Sequence, residues 1–339
     1  MDRCPPEVLL KIVQEACTDG GYTGCSLSLV SRYTRDAIQP ARYQSVALID
    51  GPSVLAFSKL LDQSLQPVVV RYLFLSFTNH PEDPLLLEED EPTWSAIEKG
   101  ITRILRAAAP AVRELTVHGP FALARVLQNA QSFTVPFPCL THLSIPYLSP
   151  NFGAAKAQNG LPSLRRLHIS SGEHGYARCP PYPGLQFEEL LVPSVPHITH
   201  LRISGIINNY RLLQFLRVLL DVPFTDGPRR ADDWEYNPQW YRYEPGSEEA
   251  AQATKDAARL AGLRYVVVQP GVRRDEDMLG VFQDFHFISG LRDIEADSAR
   301  GVGVGKLRLL PPSKEYSLEE ARRDWTDVVN GGDGPWDAS

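Results

Sequence analysis

Leu164-Arg165-Arg166-Leu167-His168-Ile169 reads apolar-x-x-apolar-x-apolar. Its last two apolar residues alternate as in a short strand with one face buried. The same hexad stands at Tyr43/Val46/Leu48, Val70/Leu73/Leu75, Val112/Leu115/Val117 and Leu140/Leu143/Ile145, and again at Ile198/Leu201/Ile203, Leu263/Val266/Val268 and Val304/Leu307/Leu309. Between its central positions the steps are 27, 42, 28, 24, 34, 65 and 41 residues. A further match, Phe187/Leu190/Val192, falls out of step. Helical signatures lie between several copies. Thr93 is placed to cap a helix carrying Ile97, Ile101, Ile104, Leu105 and Ala108, and Asn208 or Asn209 one carrying Leu212, Leu213, Leu216, Leu219 and Leu220. Ser247, followed by Glu248 and Glu249, opens a third that ends at Gly262.

Strand-plus-helix units at most of these spacings resemble a leucine-rich-repeat solenoid, whose period is ~20–29 residues. The asparagine that normally follows the strand is replaced by Leu148, Gly172 and Ile206, so an irregular arc is expected. The rival is an ordinary α/β domain, since apolar triplets also arise by chance in Leu/Val-rich chains. In a stacked parallel sheet, the residues flanking each central apolar position point away from the core. One row is Tyr72, Glu114, His142, Arg166, His200, Tyr265 and Lys306; the other is Phe74, Thr116, Ser144, His168, Arg202, Val267 and Arg308. Seven of the fourteen are His, Arg or Lys and one is acidic, on a chain of net charge −7. That segregation marks a face for an acidic or phosphorylated segment of a protein target, anchored by Arg166, Arg202 and Arg308. Mid-strand residues that are merely solvated give the same pattern.

Outward from this core, the first fifty residues read as a helical lobe. Pro5-Pro6-Glu7 precedes Val8, Leu9, Ile12, Val13 and Ala16 at helical spacing, and Asp19-Gly20-Gly21 ends the helix. Leu27, Leu29 and Val30 follow, then Ser31-Arg32. So small a lobe buries little core alone, and docks either on the rest of the chain as a cap or on a partner. Cys4-Pro5-Pro6-Glu7-Val8-Leu9-Leu10-Lys11-Ile12, Leu27-Ser28-Leu29-Val30-Ser31-Arg32 and Arg42 to Leu48 together resemble an F-box, with Cys4 in place of its first leucine and Thr34 in place of its tryptophan. The resemblance implies docking onto the SKP-type linker subunit, and through it the cullin, of a cullin–RING ubiquitin ligase. The linker-binding residues it implies are Pro5, Pro6, Glu7, Val8, Leu9, Ile12, Val13, Leu27, Leu29 and Val30.

At the other end, Ser317-Leu318-Glu319-Glu320 is a capping box that opens a helix stopping at Gly331-Gly332. Trp325 and Trp336 are placed to cover the last repeat. The stretch from Lys306 to Trp336, with Leu309-Leu310-Pro311-Pro312 and Asp324-Trp325, is similar to tails of the F-box-like family of mushroom-type fungi, which implies a capping role. An insertion from about 222 to 246 concentrates Trp234, Tyr236, Trp240, Tyr241 and Tyr243. These rings either anchor the target or pin the loop to its own domain.

Composition and motifs exclude much else. Proline makes up 28 of 339 residues, above the usual ~5 %, which favours turns over long helices. The acidic net charge argues against nucleic acid, and the longest apolar run, Val68 to Phe77, is too short and too interrupted to span a membrane. The start shows no signal-peptide pattern, and five cysteines without a CxxC pair suit a reducing cytoplasmic or nuclear compartment. Gly301-Val302-Gly303-Val304-Gly305-Lys306 lacks the spacing and the Ser/Thr of a phosphate loop. No metal-ligand set, catalytic residue or cofactor motif stands out, so a non-enzyme is expected. A hydrolase or transferase on an irregular α/β fold is the remote alternative.

The expected chain is thus an α/β protein: an F-box-like helical lobe (1–45), an irregular leucine-rich-repeat solenoid with a parallel sheet (46–312), and a C-terminal helix and tail (313–339). Its expected role is a substrate-receptor subunit of a ubiquitin ligase. The alternative is a repeat scaffold whose F-box no longer engages the linker.

Overall fold

A computed structural model describes residues 4–64, 66–76, 91–119, 135–146, 161–170, 195, 197–207, 210–222, 246–272, 278–300, 305–313 and 316–336. The fold is mixed α/β, and every strand pairing shown is parallel. Two compact units divide the chain. One comprises Met1–Pro146, Ala157–Leu164 and Ser317–Ser339; the other comprises Tyr147–Lys156 and Arg165–Tyr316.

In the first unit, α1 (Pro6–Ala16), α2 (Tyr22–Leu27) and α3 (Arg32–Ile38) form the lobe. Leu9, Val13, Cys17, Ile38 and Ala41 make its small core. Burial pushes the Cys17 thiol up to about 11, with Asp19 adding to the shift, so it stays a neutral packing group. Strands β1 (Ser45–Leu48), β2 (Tyr72–Ser76), β3 (Glu114–His118) and β4 (His142–Ile145) follow in chain order, with α4 (Gly51–Gln63) after β1 and α5 (Glu91–Ala108) after β2. In the second unit β5 (Arg166–Ser170), β6 (His200–Ile206), β7 (Tyr265–Pro270) and β8 (Lys306–Leu309) are likewise laid in order. There α6 (Tyr210–Leu219) and α7 (Glu248–Arg259) follow β6, and α8 (Met278–Ala299) follows β7. The last helix, α9 (Leu318–Val329), belongs to the first unit.

The register matches the hexads. Val46, Leu73, Leu115 and Leu143 are successive partners in one unit, and Leu167, Leu201, Val266 and Leu307 in the other. Strands β2, β3, β4, β6 and β7 also enter in the same way. The carbonyl of Gln44 accepts the amides of Arg71 and Tyr72; Arg71 accepts those of Arg113 and Glu114; Arg113 accepts those of Thr141 and His142. In the second unit Arg165 accepts from Thr199 and His200, and Thr199 from Arg264 and Tyr265. A carbonyl has two lone pairs, so one acceptor fixes two donors and sets the register at the strand mouth.

Several local expectations change. Thr93 lies inside α5, which begins at Glu91, so it is not the cap. Ser247 does cap α7, its hydroxyl accepting the Ala250 amide at 3.1 Å, and the helix ends at Arg259, ahead of Gly262. The capping box at Ser317 and Glu320 is formed. Two helices went unread. α4 starts with a reciprocal Asp50/Ser53 cap, and α8 carries apolar residues around its circumference with no single apolar face. Asn208, Asn209 and the Phe187/Leu190/Val192 match lie outside the described residues.

The lobe is tied to the outer edge of β1. The Ala47 amide donates to the Gly20 carbonyl at 3.1 Å, the Gly20 amide donates to Ser45 Oγ at 3.0 Å, and Gln44 Nε2 donates to the carbonyls of Cys17 and Gln14. Gly20 has φ +79°, and a Cβ there would lie 2.8 Å from Ala47 Cβ. Gly20→Ala therefore combines left-handed strain with a clash, and is expected to cost about 1–3 kcal/mol. A thermal melt unchanged from wild type would refute this seating.

Candidate functional site

Two surfaces carry the residues singled out by sequence. The first is the lobe. Ser31 caps α3 by accepting the Thr34 amide at 3.0 Å, Arg35 Nε donates to the Ser28 carbonyl at 2.8 Å, and the Tyr33 hydroxyl donates to the Cys4 carbonyl. These bonds tie α3 both to the turn after α2 and to Cys4, ahead of α1. Val8 (47 %), Ile12 (56 %), Leu29 (78 %) and Val30 (62 %) are left exposed, with Pro5, Pro6 and Glu7 alongside. Leu9 and Val13, offered by the resemblance as linker contacts, instead face the lobe's own core, and Leu27 packs against it half-buried. The helical period divides the set: residues 8 and 12 lie on the outer face, 9 and 13 on the inner. Thr34, where the resemblance places a tryptophan, is buried and its hydroxyl bonds Ser31 Oγ at 2.8 Å. Tyr22, 78 % exposed, was missed; standing directly after Gly21 at a helix start, it has no periodic partner to flag it.

The second surface is the strand face opposite the central apolar row, and here the expected openness is corrected. Phe74, Glu114, Thr116, His168, Arg202 and Val267 are buried. Tyr72, His142, Arg166, His200, Tyr265 and Arg308 are half-buried, and Lys306 is exposed. The covering elements explain this in each unit. In the first, α9 packs on β2 and β3, and Trp325 sits over Phe74 with ring centroids 5.5 Å apart. The expected cap on the last repeat is thus a helix laid on two earlier strands. In the second unit, Tyr316 stands edge-on to His168 at 4.6 Å and 5.5 Å from the Arg202 guanidinium carbon. His168 Nε2 and Arg202 Nε both reach Ser204 Oγ, at 2.9 and 3.1 Å, and Arg202 Nη2 donates to Gln269 at 3.4 Å. Tyr316 went unread, although an apolar residue just before a capping box is the usual staple that packs inward. Trp234, Trp240 and Tyr241 of the insertion lie outside the described residues.

Glu114 is the chemical oddity of this face. It is 4 % exposed, its Oε2 has no hydrogen-bond partner among the described residues, and desolvation holds its carboxyl well above the usual carboxylate range. Its register neighbours are Tyr72 and His142, and the His142 ring Nδ1 meets Thr141 Oγ1 at 2.9 Å. Among the described residues no group of three His, Cys, Asp or Glu is placed to hold a metal, and no helix is long and apolar enough to cross a membrane. Comparisons with protein-family models, with curated proteins and with solved structures find no match.

Proposed function

We propose that the chain is a substrate-receptor subunit of a cullin–RING ubiquitin ligase, its lobe an F-box docking on the SKP-type linker and its strand–helix succession a degenerate leucine-rich-repeat domain that holds a protein target. The observation that carries this reading is the exposed apolar set Val8, Ile12, Leu29 and Val30 on a lobe that already has a core. Exposed apolar side chains of this kind are what a partner's apolar groove buries. The repeat half is supported by two runs of four parallel strands in chain order, in register at their central apolar residues. Such a protein works by bridging, raising the target's effective concentration at the transfer enzyme.

Purified SKP-type linker is expected to bind the full chain saturably. Val8→Asp with Ile12→Asp, both on the outer face, is expected to weaken that binding by about 100-fold or more with circular dichroism unchanged. A well-folded wild type that ignores the linker sinks the adaptor reading. It would favour the scaffold alternative, which has its own support in the bonds from Gly20 and Gln44 that make the lobe a closure for β1.

A further inference from the structure

The covering of β2 and β3 says what that face accepts. α9 offers it one stripe, Ala321, Trp325 and Val329, spaced four residues apart and buried, while Glu319, Arg322, Arg323 and Asp327 of the same helix are exposed. The helix is complete without the sheet. Ser317 and Glu320 close its first turn, Gly331 at φ +87° ends it, and the Gly334 amide donates to Asp327 Oδ2 at 2.7 Å, folding the Gly334–Trp336 turn back onto it. Its seat, by contrast, is polar-mismatched. Among the described residues, Trp325 Nε1 is buried with no acceptor, and on the strand face Glu114 Oε2 and Ser76 Oγ are buried with no partner. Alternation puts Ser76 and Glu114 on the same face as Phe74. Unmade hydrogen bonds of this kind weaken an interface, and an incoming surface that supplies them gains what α9 forgoes.

We propose that the β2–β3 face is a helix-receiving surface occupied in cis by the chain's own α9. The partner it fits is an amphipathic helix with an aromatic or aliphatic residue at every fourth position and a donor, such as a lysine, opposite Glu114. Binding such a helix displaces α9. Calling that helix part of a ubiquitylation target rests on the receptor reading above. The exchangeable seat does not, and it is tested without the linker.

Native-state hydrogen exchange on the full wild-type chain gives the first readout. Amides of α9 are expected to exchange about 30-fold or more faster than those of β2 and β3, through an opening short of global unfolding. Equal protection of helix and strands would make α9 part of the permanent core and overturn the proposal. The second readout uses a fluorescent peptide spanning residues 317–336. Full-length Trp325→Ala is expected to bind it saturably and at least about tenfold more tightly than wild type, whose own helix competes. The same peptide carrying Trp325→Ala is expected not to bind. Equal binding to both chains, no binding to either, or retention of the altered peptide would overturn the seat.

Discussion

Leu9→Asp is expected to cost the first unit about 4 kcal/mol or more, whereas Val8→Asp, one residue earlier, is expected to leave stability within about 0.5 kcal/mol. The physical difference is a single step around α1. Leu9 is 6 % exposed among Val13, Cys17, Ile38 and Ala41, where a carboxylate finds no partner. Val8 is 47 % exposed. For a unit of this size the first change corresponds to a melting point lower by roughly 8 °C or more. Matching melts for the two variants would mean that the inner and outer faces of α1 are misassigned. The pair also warns against reading lost linker binding in Leu9→Asp as a contact effect, since the lobe itself would be gone.

The second large effect is a pH dependence centred on Glu114. An acid whose pKa is raised on folding stabilises the native state below its unfolded pKa, and that contribution drains away as pH climbs through the folded value. The wild type is therefore expected to lose stability as pH rises from the ordinary carboxylate range toward the raised folded value, by as much as about 1.4 kcal/mol per pH unit across that window. Glu114→Gln keeps the shape, cannot ionise, and removes that slope. Urea midpoints measured from pH 5 to pH 9 are expected to converge at the acidic end and to separate progressively in favour of the variant. Parallel curves would show that Glu114 ionises in the folded chain as readily as in the unfolded one, and would overturn the reading of a carboxyl held neutral by burial.

The strands were legible because their signal is local: three apolar positions within six residues, repeated, need no knowledge of what lies above the sheet. All eight central residues, from Val46 to Leu307, fall in strands. The face opposite was misread for the converse reason. Whether Phe74 or His168 meets water depends on Trp325 and Tyr316, more than a hundred residues away in sequence, and alternation along a strand carries no trace of them. The basic residues counted there signalled a hydrogen-bonded layer as readily as a charged one: Arg202 and His168 share the hydroxyl of Ser204. On the lobe, an apolar run on a helix marks one stripe, and the presence of apolar residues at both 8–9 and 12–13 made the stripe too wide to belong to one partner. The structure divides it into a half that packs in the lobe's core, Leu9 and Val13, and a half left exposed, Val8 and Ile12.

The position of α9 bears on how the chain is made. β2 ends at Ser76 and α9 begins at Leu318, so at ribosomal rates of ~5–20 residues per second the strand waits roughly 10–50 s for its covering helix to be synthesised. Pairing between consecutive strands can proceed as each emerges, but the first unit is sealed only once Leu318–Val329 has been translated. During that interval Phe74 and its neighbours form an apolar strip open to chaperones. A chain stalled or cut short before Leu318 would keep that strip, and so carry its own mark of an unfinished product.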